Sequence, residues 1–87
     1  MAVFVIIPTA RETDVSAAIV GRPDLKSHKL PRGEWLVSYD GTSKMLSDEL
    51  GISDGANGTG AIFSIGGYYG RAPTDIWEWL KQNMTGA

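Results

Sequence analysis

Ala2–Ile7 is a run of Ala, Val, Phe and Ile without polar interruption. A strand covered on both faces reads this way. Pro8 has no backbone donor for a ladder and is expected to close the strand. Beyond it the period lengthens: Val15, Ala18 and Ile19 share one helical face by i, i+3, i+4 spacing. Thr13 or Asp14 is the expected N-cap, and Gly21 with Pro23 the stop. Lys26–Leu30 and Glu34–Tyr39 then flank the turn former Pro31-Arg32-Gly33, which predicts a β-hairpin. In its second arm Trp35, Val37 and Tyr39 face one way, and Leu36 and Ser38 the other.

After the break at Asp40-Gly41, Thr42 or Ser43 is placed to cap a second helix, in which Leu46 and Leu50 stack at i, i+4. Gly51 stands where a helix C′ glycine belongs, with Ile52 as its apolar follower. Ser53–Gly60 reads as a connector, and Ala61–Ile65 as the last strand, ended by Gly66-Gly67. Pro73-Thr74-Asp75 opens a third helix with an apolar face of Ile76, Trp77, Leu80 and Met84, flanked by Trp79. The order β-α-β-β-α-β plus a helix predicts an α+β fold: a ferredoxin-like split βαβ sandwich with an extra C-terminal helix. That helix is expected on the sheet edge, on the open sheet face, or against a second copy.

Composition narrows the class. At 87 residues the chain fits one domain spanning residues 1–87, with a thin core. Hydrophobic residues make up 43% and charged residues 21%, an ordinary globular balance. The chain has no cysteine, which excludes disulfides, thiolate metal sites and a cysteine nucleophile, and suits a reducing, cytoplasmic setting. The apolar run Ala2–Ile7 is far too short to span a membrane and follows no basic residue, so no membrane association or signal sequence is expected. The net charge of −2 is uneven, with five Lys/Arg against three acids in residues 1–32 and three against seven afterwards. A dedicated nucleic-acid binder is usually basic overall, so such a partner is not favoured.

Candidate chemistry is sparse. The loop Asp54-Gly55-Ala56-Asn57-Gly58-Thr59-Gly60 lacks the spacing of a dinucleotide loop, a P-loop or a calcium loop. His28 is the only histidine, without local carboxylates at ligand spacing, and reads as a solvent-facing strand residue. No catalytic, cofactor-binding or metal-ligating set is expected. Lys26, Lys29 and Arg32 are the candidate phosphate contacts, although strand alternation splits them between faces; edge protection is the plainer role. Tyr68, Tyr69 and Arg71 suit an interface or base stacking, and Trp77 and Trp79 offer more aromatic area than a thin core needs. These five residues are expected to form a homodimer surface.

The layout of a short first strand, Glu34-Trp35-Leu36-Val37, a helix, Ala61–Ile65 and a terminal Trp77-Glu78-Trp79-Leu80-Lys81 resembles small bacterial proteins of the VapD/SinR-like kind. Those share the ferredoxin-like fold of the CRISPR-adaptation nuclease family. The resemblance implies a homodimer and, in some members, metal-dependent cleavage of nucleic acid by an Asp just after the first strand. Here Pro8-Thr9 takes that place, so nuclease activity is not carried over. The expected function is a non-enzymatic, homo-oligomeric binding or assembly module. The alternative is a nucleic-acid-binding or nuclease-like protein acting through a carboxylate such as Asp40 or Asp54.

Overall fold

A computed structural model of the protein describes residues 2–67, 70 and 73–84. Seven elements follow one another: β1 (Ala2–Ala10), α1 (Glu12–Val20), β2 (Lys26–Lys29), β3 (Trp35–Tyr39), α2 (Ser43–Leu50), β4 (Thr59–Ile65) and α3 (Thr74–Met84). The strands form one sheet in the order β2-β3-β1-β4, with every neighbouring pair antiparallel. This is the α+β ferredoxin-like order, with the hairpin β2–β3 inserted beside β1 and β4 closing the other side. No helix among the described residues is long and apolar enough to cross a membrane.

Strand alternation sorts the core into two sets. Phe4, Ile6, Trp35, Val37 and Tyr39 point toward α1 and α2, where they meet Val15, Ile19, Leu46, Leu50 and Ile52. Each of these side chains, fully buried, contributes about 1.5–3 kcal/mol, which ties both helices to one face of the sheet. Val3 and Leu36 point the opposite way and meet Ile76 and Leu80 of α3, with Val5, Leu30, Ile65, Trp77, Trp79 and Met84 packed around them. Of the placements open to α3, the structure takes the open sheet face, and the two-layer sandwich becomes three layers, helix on sheet on helix.

Local boundaries follow the sequence signals closely, with β4 starting two residues early at Thr59, apart from two larger exceptions. Thr42 caps α2, its Oγ1 accepting from the Met45 N–H at 3.1 Å. Gly51, at φ 74°, ends it with the paired bonds Ile52 N–H to Ser47 O and Gly51 N–H to Asp48 O. That is the Schellman closure that the Leu50-Gly51-Ile52 string suggests. The first exception is β1, which continues past Pro8 to Ala10 through a bulge, with Pro8 opposite Gly60 and Ala10 opposite Thr59. The β3 ladder has already ended at Ile6 opposite Trp35, so at Pro8 only one side of β1 is paired. A proline is tolerated at such a position.

The second exception is α1, which starts at Glu12 rather than after Thr13 or Asp14. Arg11 takes the N-cap position in the left-handed region at φ 54°, with no side-chain cap bond. Its own side chain compensates: Nε donates to Asp14 Oδ2 at 2.7 Å, and the guanidinium donates to the carbonyls of Gly55 and Ala56. The 51–58 connector is thereby tied to the entry of α1, and Asn57 Nδ2 adds a bond to Leu50 O at 2.9 Å. Gly58 is required here, at φ 93°, since a Cβ would fall 2.9 Å from the carbonyl oxygens of Ala10 and Arg11.

Candidate functional site

Among the described residues β4 occupies one edge of the sheet and pairs only with β1. Its sequence is Thr-Gly-Ala-Ile-Phe-Ser-Ile, seven residues with no charge and no proline. Ile62, opposite Ile6, turns toward the α1/α2 core. Ala61, Phe63 and Ile65 turn to the face of α3. There α3 packs over Ile65, Val3 and Leu36, while Phe63 stays 54% exposed and Ile7 39% exposed. The register sets Val5 beside Phe63 and Ile7 beside Ala61. These four side chains make an apolar strip against an edge whose outer N–H and C=O groups have no strand neighbour among the described residues.

The opposite edge has a different chemistry. β2 is four residues, Lys-Ser-His-Lys. Lys26 and Lys29 are exposed, as is Arg32 in the turn that follows. Among the described residues none of the three meets a carboxylate. Lys26 pairs with Ser38 and Lys29 with Trp35, so the two ammonium groups leave opposite faces of the sheet. The fold therefore does not gather the candidate phosphate contacts into one cradle.

His28 departs from its expected exposure. Its Nε2 lies 2.8 Å from Asp75 Oδ2, and its ring is 6.2 Å from the Trp79 ring. With only 24% of its side chain exposed, it ties the β2 edge to the first turn of α3. The carboxylate comes from 47 residues away, so no local spacing could have announced it.

Beside the start of β2 lies a cleft of about 330 Å³ lined by Arg22, Asp24, Leu25, Tyr39, Asp40 and Glu49, among others. Its charges are largely engaged with one another. Arg22 grips Asp24 through two bonds of 3.0 and 2.8 Å and reaches Glu49 at 3.3 Å. The Tyr39 hydroxyl donates to Glu49 Oε2. The hydrogen bond to Asp24 raises the proton affinity of the Arg22 guanidinium, and the same bond holds the Asp24 carboxyl below the ordinary carboxylate range. An arginine closed on its own carboxylates is a clasp between the β2 entry and α2. No group of three or more His, Asp or Glu among the described residues is arranged to hold a metal ion.

The remaining expected site residues fall in two places. Tyr68, Tyr69 and Arg71 lie outside the described residues. Trp77 and Trp79 are half-buried and pack against the sheet beside Ile76 and Leu80, which takes up much of their aromatic area. The position after the first strand, which the resemblance makes catalytic, holds Arg11, engaged with Asp14 and the 51–58 connector. What reading along the chain missed is Phe63 and Ile7. Their signal was the charge-free stretch 59–65, which acquires meaning only at a sheet edge. Against known proteins, no family model, no curated protein and no solved structure matches the chain.

Proposed function

We propose that this protein is a non-enzymatic assembly module that works as a homo-oligomer, using the β4 edge and the apolar strip beside it. The observation that carries the reading is the pairing of an uncharged seven-residue edge strand with a Phe63 that is 54% exposed. Edge strands are ordinarily blunted by charge, proline or short length, and β4 has none of these. Main-chain bonds along an added strand supply affinity, and alternate side chains supply selectivity. The clasped carboxylates around Arg22 support the non-enzymatic half of the reading, because their charges are already engaged.

Light scattering over a concentration series tests this. The wild type is expected to approach twice its 9.4 kDa mass. Phe63→Lys is expected to remain at the monomer mass with an unchanged far-ultraviolet spectrum, since the replaced side chain carries little of the fold. A wild type that stays monomeric up to about 100 μM, where even a Kd of ~10 μM would be well occupied, defeats the reading.

A further inference from the structure

The geometry points to a specific arrangement: two copies pair β4 with β4 in antiparallel sense about a two-fold axis at Ile62, making one eight-stranded sheet. This rests on the assembly reading above and names its partner and register. Full overlap of Thr59–Ile65 with its own copy places the axis at the middle residue. Thr59 then opposes Ile65, Gly60 opposes Ser64, and Ala61 opposes Phe63 of the second copy. On the α3 face each exposed Phe63 meets the smallest side chain of the strip, Ala61, with Ile7 beside it. Large-to-small opposition is what close packing across a strand pair requires. No opposed pair carries a charge, so nothing on the strand repels its copy.

The occupant is a second copy because the two edges then divide the work. Pairing through β4 uses up the uncharged edge of each chain and leaves two β2 edges outside, in the order β2-β3-β1-β4-β4-β1-β3-β2. Both outer edges carry Lys26 and Lys29. Stacking there would gather the lysines of two copies along one seam, so assembly stops at two. The interface is isologous and closed, as a two-fold requires. An axis perpendicular to the sheet keeps faces together, so both α3 helices stand on one side. The two Phe63–Ile7 strips then join into a single apolar floor between them.

The chain has no cysteine of its own, so introduced ones report unambiguously. Ala61→Cys and Phe63→Cys are oxidised separately and as an equal mixture, with the mass of each sample followed in parallel. The expected result is a mixed 61–63 disulfide dimer as the main product, with little 61–61 or 63–63 product. A dimer that cross-links mainly 63–63 or 61–61 overturns the register and leaves the assembly reading standing. A wild-type dimer with no cross-link in any combination overturns edge pairing. A wild type without dimer at any concentration removes the assembly reading itself. A second measurement avoids oxidation: Ala61→Phe and Phe63→Ala alone should each weaken the dimer at least tenfold, and the exchanged double variant should recover most of the loss. Failure to recover overturns the Ala61–Phe63 opposition.

Discussion

The two edges of the sheet belong to one hydrogen-bonded layer and carry opposite surfaces. At one edge β2 is short, holds exposed Lys26 and Lys29, and is fastened to α3 through His28 and Asp75. At the other, β4 is nearly twice as long, has no charge, and leaves Phe63 in solvent next to Ile7. Among the described residues both are outer strands with one paired side, so backbone chemistry alone does not distinguish them. The side chains do: a strand recruited to β2 would have to desolvate ammonium groups, while one recruited to β4 would cover apolar surface already in contact with water. Under the assembly proposed above, this sheet would grow through β4 and not through β2.

The largest effect that could break this comparison is Phe63→Lys, which gives β4 the guard that β2 has. Loss of a central aromatic anchor costs roughly 2–4 kcal/mol, so the dimer constant should weaken by about 30-fold to 1,000-fold in a light-scattering or sedimentation titration. Converse in design is Lys26→Ile with Lys29→Val, which strips β2 of its charge. With both edges uncharged the chain should form species larger than two, seen as a mass that keeps rising with concentration. A double variant that stays at the wild-type mass would show that charge is not what silences β2.

Smaller effects sharpen the picture of the silent edge. Asp75→Asn removes the carboxylate partner of His28; with Asp75 mostly exposed, the expected loss is at most about 1 kcal/mol in a denaturant titration. Amide exchange should quicken locally, in β2 and the first turn of α3, more than in β4. The smallest effect concerns Asp24 at the entry to β2. Arg22 depresses its folded-state pKa, so its contribution is present above the ordinary aspartate value of about 4 and is lost as pH falls through the depressed one. The stability gap between wild type and Asp24→Asn should therefore be present at neutral pH and narrow as pH falls below the ordinary aspartate range. A gap that widens on acidification would contradict the Arg22 clasp.

Much of the architecture was legible from short-range pattern. The Thr42 cap, the Leu46/Leu50 stripe and the Gly51 closure rest on residues within one or two turns of each other, and the structure shows each. The alternation in Trp35–Tyr39 named the two faces of β3 correctly. Pro8 signals a stop locally because a proline removes a ladder donor. Nothing local shows that β3 has already left that side of β1. The engagement of His28 is equally invisible locally, since its partner Asp75 enters on a different element. Trp77 and Trp79 offer aromatic area that the sequence alone does not place; in the structure both are half-buried against the cluster that joins α3 to the sheet.

By itself the sequence determined the order of elements, the cap and closure of α2, and the absence of charge from Thr59 to Ile65. Those are properties of neighbours along the chain, governed by backbone sterics, caps and period. Only the tertiary structure decided that β1 runs on past Pro8 along β4, and that α3 covers Ile65 but leaves Phe63 uncovered. Those outcomes depend on pairings across tens of residues, where burial of apolar surface selects one arrangement among several that the local pattern allows equally.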